Sequence, residues 1–382
     1  MTVHDDRLGR FIADIEDRVG PLLPPIEAAL RAVPRALFIP DVALASPGCR
    51  DEAYVIDRGS DPDAWWEAVN TATDPIITQI DDGTRGFDSD GAYTSSNSAP
   101  DTVAELLELL STKPGHRVLE VGTGTGWTAA LLSHMVGAER VTSVEIDAAI
   151  SERAAKNVSV AGYEPHLVVG DGATGYPDGA PYDRVHVTCS VYRVPYTWVE
   201  QCRPGGLIVA PFETGVGCGR AIRLVVSADG TAVGRFRGSA SYMPIRAQRV
   251  EYPPEPDVEP ARHSTRVDPR TIAEAPPGAA LTIAALTGLH VSAEQDDDLV
   301  RVWVLNPDRG DERAMTVWDP DPGQWPVFQI GDRPVWDEVT DAYFRWVSWG
   351  EPGRDRYGMT VTPDGQSIWL DRPDNVLRRA GT

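Results

Sequence analysis

The 382-residue chain is poor in several things, and each shortage excludes something. Its four cysteines, at 49, 189, 202 and 218, have neither zinc-ligand spacing nor the density of a disulfide scaffold, so no metal site is expected and reduced thiols in a cytoplasmic protein fit best. Positive charge is scarce. Lys and Arg total 35 against 57 Asp and Glu, a net charge of −22, and no basic tract offers a surface that tracks phosphates, so no nucleic-acid partner is expected. The acidity reads mainly as solubility. No apolar run approaches the roughly 18 residues that a membrane span needs, and Asp5 and Asp6 stand where a signal peptide would have its apolar core.

What the chain has is a short apolar strand that passes through Glu120 into Gly122-Thr123-Gly124-Thr125-Gly126, with a helical pattern opening at Trp127. Glycines at alternate positions let the backbone approach a bound nucleoside. About twenty residues on, the strand Val141–Val144 ends at Glu145, where a carboxylate can hold a ribose diol. A dinucleotide fingerprint needs a small residue where Trp127 stands, and a P-loop needs Lys-Ser or Lys-Thr after its last glycine. Neither is present. The pattern instead resembles motif I of the class I S-adenosylmethionine methyltransferases. That resemblance places Glu120, Gly122, Thr123, Gly124 and Gly126 at the cofactor's methionine and ribose. It gives the ribose hydroxyls to Glu145, beside Ile146, and adenine to Asp171, Gly172 and Ala173.

Around these loops, strands and helices alternate. Strands are expected over 117–121, 141–144, 167–169, 184–188 and 207–210, and helices over 127–135, 148–160 and near Trp198. A hairpin (221–227 and 231–236, about Asp229-Gly230) closes the sheet. The fold class is therefore α/β: a Rossmann-like doubly wound sheet with a closing antiparallel hairpin, plus a smaller C-terminal α+β or mainly β domain. Residues 1–100 are expected to form a helical and substrate-loop region, with helices over 8–19 and 24–33 and an irregular stretch over 41–93. Residues 101–250 form the cofactor-binding domain, 251–270 a Pro-rich linker, and 271–382 an accessory domain holding seven of the eleven tryptophans. Those tryptophans read as core packing, with an aromatic peptide-binding face as the sharper alternative.

The choice of acceptor follows from what a base would have to do. The Pro-Pro clamp of exocyclic-amine methyltransferases is missing, and no histidine is paired with a carboxylate as the base for a phenol or alcohol; His186, on a buried strand, reads as a core residue. A carboxylate acceptor is already ionised at neutral pH and needs only alignment and desolvation. Thr94, Ser95, Ser96 and Asn97 supply hydroxyl and amide donors that can orient it, although a polar turn capping the helix near Asp101 explains the same cluster.

At this point the chain resembles the protein-L-isoaspartate O-methyltransferase family over roughly residues 8–240. The matching segments are Ala32–Pro40, Val118–Trp127, Gly170-Asp171-Gly172, Tyr182–Thr188 and Arg203-Pro204-Gly205-Gly206. The resemblance implies that Ser95 and Ser96 occupy the family's substrate loop and that Thr188 and Cys189 line the methyl-transfer pocket; Arg193 is, apart from it, a candidate counter-ion for the peptide. The family's substrate glutamine is absent, since Asn97-Ser98-Ala99-Pro100 stands in its place, and the region after Glu251 exceeds the compact repair enzymes. The layout looks like the branch that accompanies ribosomally made, modified peptides, closest to methyltransferases of ATP-grasp (graspetide) systems, with lanthipeptide- and lasso-peptide-associated relatives. The implied activity is methylation of an aspartate in a precursor peptide, already macrocyclised or not, giving aspartimide, with S-adenosylmethionine as donor, S-adenosylhomocysteine as product and an ATP-grasp ligase as pathway partner. Isoaspartate repair is the alternative enzymatic reading. A non-catalytic S-adenosylmethionine-binding peptide module is the alternative of another class.

Overall fold

The computed structural model describes residues 3–47, 52–250, 257–296, 299–320 and 323–377. Two compact units divide them. Unit 1 comprises residues up to 190 with 195–210 and 225–230, and unit 2 comprises 191–194, 211–224 and the chain from 231 onward.

Unit 1 opens with two amphipathic helices, α1 (Val3–Val19) and α2 (Pro24–Ala32), which bury Phe11, Ile12, Ile15, Ile26 and Leu30. Next come β1 (Val42–Ala45), β2 (Tyr54–Asp57), α3 (Pro62–Val69), β3 (Ile76–Ile80) and β4 (Tyr93–Asn97). The stretch expected to be irregular is thus a four-stranded sheet in the order β2-β1-β3-β4, with antiparallel pairing throughout. Its core gathers Ile39, Ile56, Trp65 and Ile76. Asp61 caps α3 by accepting the Ala64 N–H, and the Trp65 indole donates to the Pro40 carbonyl at 3.1 Å. The expected substrate loop is likewise a strand, β4, in which alternate side chains point to opposite faces.

The helix α4 (Pro100–Leu110) buries Val103, Leu106, Leu107 and Leu110. After it come β5 (Val118–Val121), α5 (Trp127–Val136), β6 (Val141–Glu145), α6 (Ala148–Val160), β7 (His166–Val169), β8 (Tyr182–Val187), α7 (Tyr196–Gln201) and β9 (Cys202–Phe212). The strands run in the order β9-β8-β5-β6-β7, all parallel. Strand order reverses between β5 and β8, the switch point at which open α/β sheets bind ligands beyond their carboxyl ends. Arg203-Pro204-Gly205-Gly206 lies inside β9 rather than before it.

Unit 2 carries β10 (Arg220–Val226) and β11 (Ala232–Ser239), the expected hairpin, followed by β12 (Ala261–Thr265), α8 (Pro269–Ala273), α9 (Pro277–Thr287), β13 (His290–Asp296), β14 (Leu299–Leu305), β15 (Arg313–Trp318), β16 (Trp325–Ile330), α10 (Val335–Ser348), β17 (Tyr357–Thr362) and β18 (Gly365–Leu370). β18 pairs with β17 and β17 with β11, while β12-β16-β15-β14-β13 form an antiparallel sheet over a core that includes Ile272, Val302, Val327, Trp336 and Val339. The expected linker over 251–270 is corrected in its second half, where β12 and the start of α8 lie; residues 251–256, like Cys49, fall outside the described residues. The accessory unit also starts earlier than residue 271, since it takes in 191–194, 211–224 and 231–250. Of the seven tryptophans, Trp336, Trp346 and Trp369 are buried, and Trp318 lies 4.0 Å under the Arg270 guanidinium. Core packing accounts for these better than a shared aromatic face.

Candidate active site

The turn from β5 into α5 is held by its glycines. Gly122, Gly124 and Gly126 have φ of 93°, 54° and 90°, the left-handed region that only glycine enters freely. A Cβ on Gly126 would lie 2.7 Å from a Val158 methyl, and one on Gly122 would lie 2.7 Å from the Thr188 hydroxyl. The loop therefore packs directly on α6 and on the end of β8.

Two carboxylates stand at the ends of neighbouring strands. Glu145, at the end of β6, is buried; its Oε2 accepts the Gly124 N–H at 2.9 Å and its Oε1 the Asp147 N–H at 3.0 Å. A carboxylate oxygen has two lone pairs, so accepting a backbone N–H does not by itself exclude a hydroxyl of a diol. Asp171, after β7, accepts the Ala173 N–H through Oδ1, and its Oδ2 has no hydrogen-bond partner among the described residues. Ile146, beside Glu145, is 39 % exposed, an apolar surface where a base could rest. Burial pushes the Cys189 thiol up, and the negative charges of Glu145 and Asp171 push it further. These three groups therefore share one electrostatic environment. Glycine backbone, a diol acceptor, an amine acceptor and an apolar shelf fit an adenosine-bearing cofactor.

Below this surface lies a buried row. Glu120, Ser143 and His186 are register partners on adjacent strands, and all three are sealed from solvent. The Ser143 hydroxyl donates to Glu120 Oε2 at 2.5 Å and shares a 2.6 Å bond with the Thr123 hydroxyl. Glu120 Oε1 and His186 Nδ1 have no hydrogen-bond partner among the described residues. Burial raises the Glu120 carboxyl to about 8 and lowers His186 to about 4, so both are neutral at pH 7. The expectation that Glu120 and Thr123 touch the cofactor is corrected: their side chains support the loop from beneath. Thr188 likewise donates its hydroxyl to the Val121 and Gly122 carbonyls.

The acceptor cluster separates. Ser95 is buried, takes a bond from the Thr78 hydroxyl at 3.0 Å, and lines a cavity of about 140 Å³ that Gly124, Thr125 and Arg153 also line. Ser96 projects to the other face of β4, and its carbonyl sits against Gly124. Thr94 is engaged elsewhere, accepting the Asp82 N–H and donating to Gln79. Asn97 is a correction. It is 2 % exposed, its Oδ1 accepts from Arg35 at 2.7 Å, and its amide donates to Thr125 Oγ1 at 2.9 Å, so the side chain is sealed among protein groups rather than presented to an acceptor. Arg193 belongs to unit 2 and is taken up below.

Arg35 is the residue that sequence reasoning missed, although it lies in the Ala32–Pro40 segment. Its guanidinium is buried and, besides Asn97 Oδ1, donates to the carbonyls of Val69, Thr71, Asp74, Asn97 and Ser98. It also lies 5.7 Å over the ring of Trp127, whose indole donates to the Val33 carbonyl. Arg35 thus joins β4, and through Asn97 the glycine loop, to the N-terminal segment. Among the described residues no group of His, Cys, Asp and Glu could hold a metal, and no helix is long and apolar enough to cross a membrane.

The parallel order with its switch point, the glycine turn and the paired carboxylates define a class I methyltransferase fold. A solved protein-L-isoaspartate O-methyltransferase superimposes with a TM-score of 0.51 over 96 % of this chain and 100 % of its own, at 21 % identity. The sequence pattern of the family described as Protein-L-isoaspartate(D-aspartate) O-methyltransferase (PCMT) matches residues 87–250. The protein-L-isoaspartate O-methyltransferase of Pyrococcus horikoshii is 36 % identical over 149 residues, 39 % of this chain and 67 % of that protein. Protein-L-isoaspartate O-methyltransferase 2 of Archaeoglobus fulgidus is 31 % identical over 226 residues, 58 % of this chain and 84 % of that protein. The chain belongs to the protein-L-isoaspartate O-methyltransferase family, which are carboxyl O-methyltransferases dependent on S-adenosylmethionine.

Proposed function

We propose that this chain methylates the free carboxylate of isoaspartyl residues in proteins or peptides. The observation that carries the reading is the Glu145 carboxylate at the end of β6 accepting the Gly124 N–H of the glycine turn, in a member of this family. The cofactor supplies an electrophilic methyl group on sulfonium. Glu145 binds its ribose and Asp171 its adenine amine, with Ile146 beneath the base. The acceptor carboxylate is ionised without help, and the site holds no side chain suited to act as base: His186 is sealed beneath the sheet with its basicity suppressed by burial. Cys189 stays protonated and takes no part as nucleophile. Ser95, which lines the cavity beside Gly124, aligns and desolvates the acceptor, which is what remains to be done, while Ser96, on the other face of β4, contributes its backbone carbonyl against the glycine turn.

A second reading is favoured by the acceptor strand itself. Asn97, at the start of the segment standing where the family has its substrate glutamine, is committed to Arg35 and Thr125, and unit 2 adds a large body of chain. On this reading the acceptor is an unmodified aspartate of a ribosomally made precursor peptide, acted on alongside an ATP-grasp ligase. The methyl ester is attacked by the next backbone nitrogen, whose proton leaves with methoxide as methanol, and the ring closes to aspartimide. Two peptides of one sequence, one isoaspartyl and one aspartyl, assayed with radiolabelled methyl donor, separate the readings. Faster methylation of the isoaspartyl form by orders of magnitude supports the first, and the reverse order overturns it.

A further inference from the structure

Unit 2 contains a cavity of about 1180 Å³, larger than the roughly 300–1,000 Å³ usual for small-molecule sites. One wall is the segment 191–194, which begins two residues after Cys189 in the chain. Two glutamine side chains hold it. Gln248 Oε1 accepts the backbone N–H groups of Tyr192 and Arg193 at 2.8 and 2.9 Å, and its amide donates to the Arg193 carbonyl at 2.7 Å. Gln366 Oε1 accepts the Val194 N–H at 2.9 Å, and its amide donates to the Tyr192 carbonyl at 2.8 Å. Five bonds on three consecutive residues leave this wall one backbone arrangement.

The side chains it carries are suited to a ligand. The Tyr192 ring stacks on His290 with centroids 4.9 Å apart and planes 15° from parallel. Burial lowers His290 to about 4, so the stack is an uncharged platform at neutral pH. Beside it the Arg193 side chain is exposed and has no ion pair among the described residues. Phe212 and Ile368 give the cavity an apolar wall. Of its acids, Glu213 already accepts the Thr214 and Gly215 N–H groups, while Asp308 stands near His290.

We propose that this cavity binds an extended segment of the polypeptide acceptor, with an acidic side chain of that segment paired to Arg193. The inference rests on the polypeptide-acceptor reading above and adds a second point of attachment to it. An extended chain offers apolar and polar side chains in alternation, matching a platform followed by a cation. In a chain of net charge −22, an exposed arginine with no ion pair among the described residues favours an anionic partner group.

The test uses a fluorescein-labelled peptide of about twelve residues, with one isoaspartyl residue among Asp and Glu, its Asn and Gln counterpart, and an isoaspartyl tripeptide. Ala285, on α9, lines the cavity and makes none of the five bonds, so Ala285→Trp fills the space without loosening the wall. In this variant, Kd by anisotropy and KM for the long peptide should rise about tenfold or more, with tripeptide kinetics within about twofold of the parent. Arg193→Glu should do the same for the acidic peptide and not for its neutral counterpart. Parent values for the long peptide in both variants would overturn the proposal. Anisotropy needs no turnover: loss of binding in Ala285→Trp with no peptide methylated would sink the acceptor reading and leave the cavity assignment standing.

Discussion

Replacing Arg35 should damage stability and catalysis together, in a measurable ratio. Its guanidinium serves six acceptors, five of them within 3.2 Å, drawn from the loop over 69–74 and from the end of β4. Burial lowers its pKa to about 9, against the raising influence of Asp74 and Asp101, so it remains charged at neutral pH. Hydrogen bonds to a charged group contribute about 1.5–3 kcal/mol each, and orphaning a buried carbonyl costs about 1–3 kcal/mol. Solvent entering the vacated space recovers part of this, and so does relief from holding a charge out of water. Arg35→Ala should therefore cost about 3–5 kcal/mol, a large share of the roughly 5–15 kcal/mol that stabilises a domain. Arg35→Lys keeps the charge but offers three donors from one nitrogen in place of a planar fork, and should cost about 2 kcal/mol. Urea unfolding followed by tryptophan fluorescence, at fixed S-adenosylhomocysteine concentration, reads the stability. Steady-state methylation reads the other half: in Arg35→Lys the acceptor KM should rise several-fold more than cofactor affinity falls, because β4 is tied directly and the glycine loop only through Asn97. An Arg35→Ala protein within about 1 kcal/mol of the parent, with unchanged KM, would refute the reasoning.

Three other outcomes are expected. Glu120 holds its proton in the folded state up to about pH 8 but only to about 4.5 when unfolded, so its contribution is full below the lower value and lost as pH rises through the higher; Glu120→Gln should flatten this and be the more stable protein at pH 9, by up to about 5 kcal/mol, in paired urea titrations at pH 6 and 9. Gly126→Ala places a Cβ at φ 90° and 2.7 Å from Val158, and should lower stability by about 2–4 kcal/mol and weaken cofactor binding in a calorimetric titration. Glu145→Gln sets an amide N–H against one of the two backbone N–H groups that the carboxylate accepts, and should weaken cofactor affinity about tenfold or more and cost about 1–3 kcal/mol of stability, so unchanged affinity would remove Glu145 from the binding site.

The parallel sheet was legible because its central strands are buried on both faces, which leaves apolar runs such as Leu207–Ala210, preceded by Gly205-Gly206. The helix α6 was readable to its ends, with Asp147 capping the first turn. The small sheet of β1 to β4 was not. Its strands have four or five residues, too few for a period to stand out. Reading 94–98 as a loop set Thr94 through Asn97 side by side before one acceptor, whereas a strand sends Ser95 and Asn97 to one face and Ser96 to the other. Arg35 was out of reach for a related reason. Its six partners lie 34 to 63 residues away, and an arginine beside a proline shows nothing of such a set before the chain has folded.

The raised thiol of Cys189 has a consequence for the durability of the catalyst. Sulfur anions are the strongest methyl acceptors a protein owns, and this sulfur belongs to the loop residue that follows Thr188 at the end of β8. Were it ionised, it would compete with the carboxylate and alkylate itself, one irreversible turnover per molecule. Enclosure and two neighbouring anions keep its proton in place. On the function proposed above, the acids assigned to the donor also shield the enzyme from it.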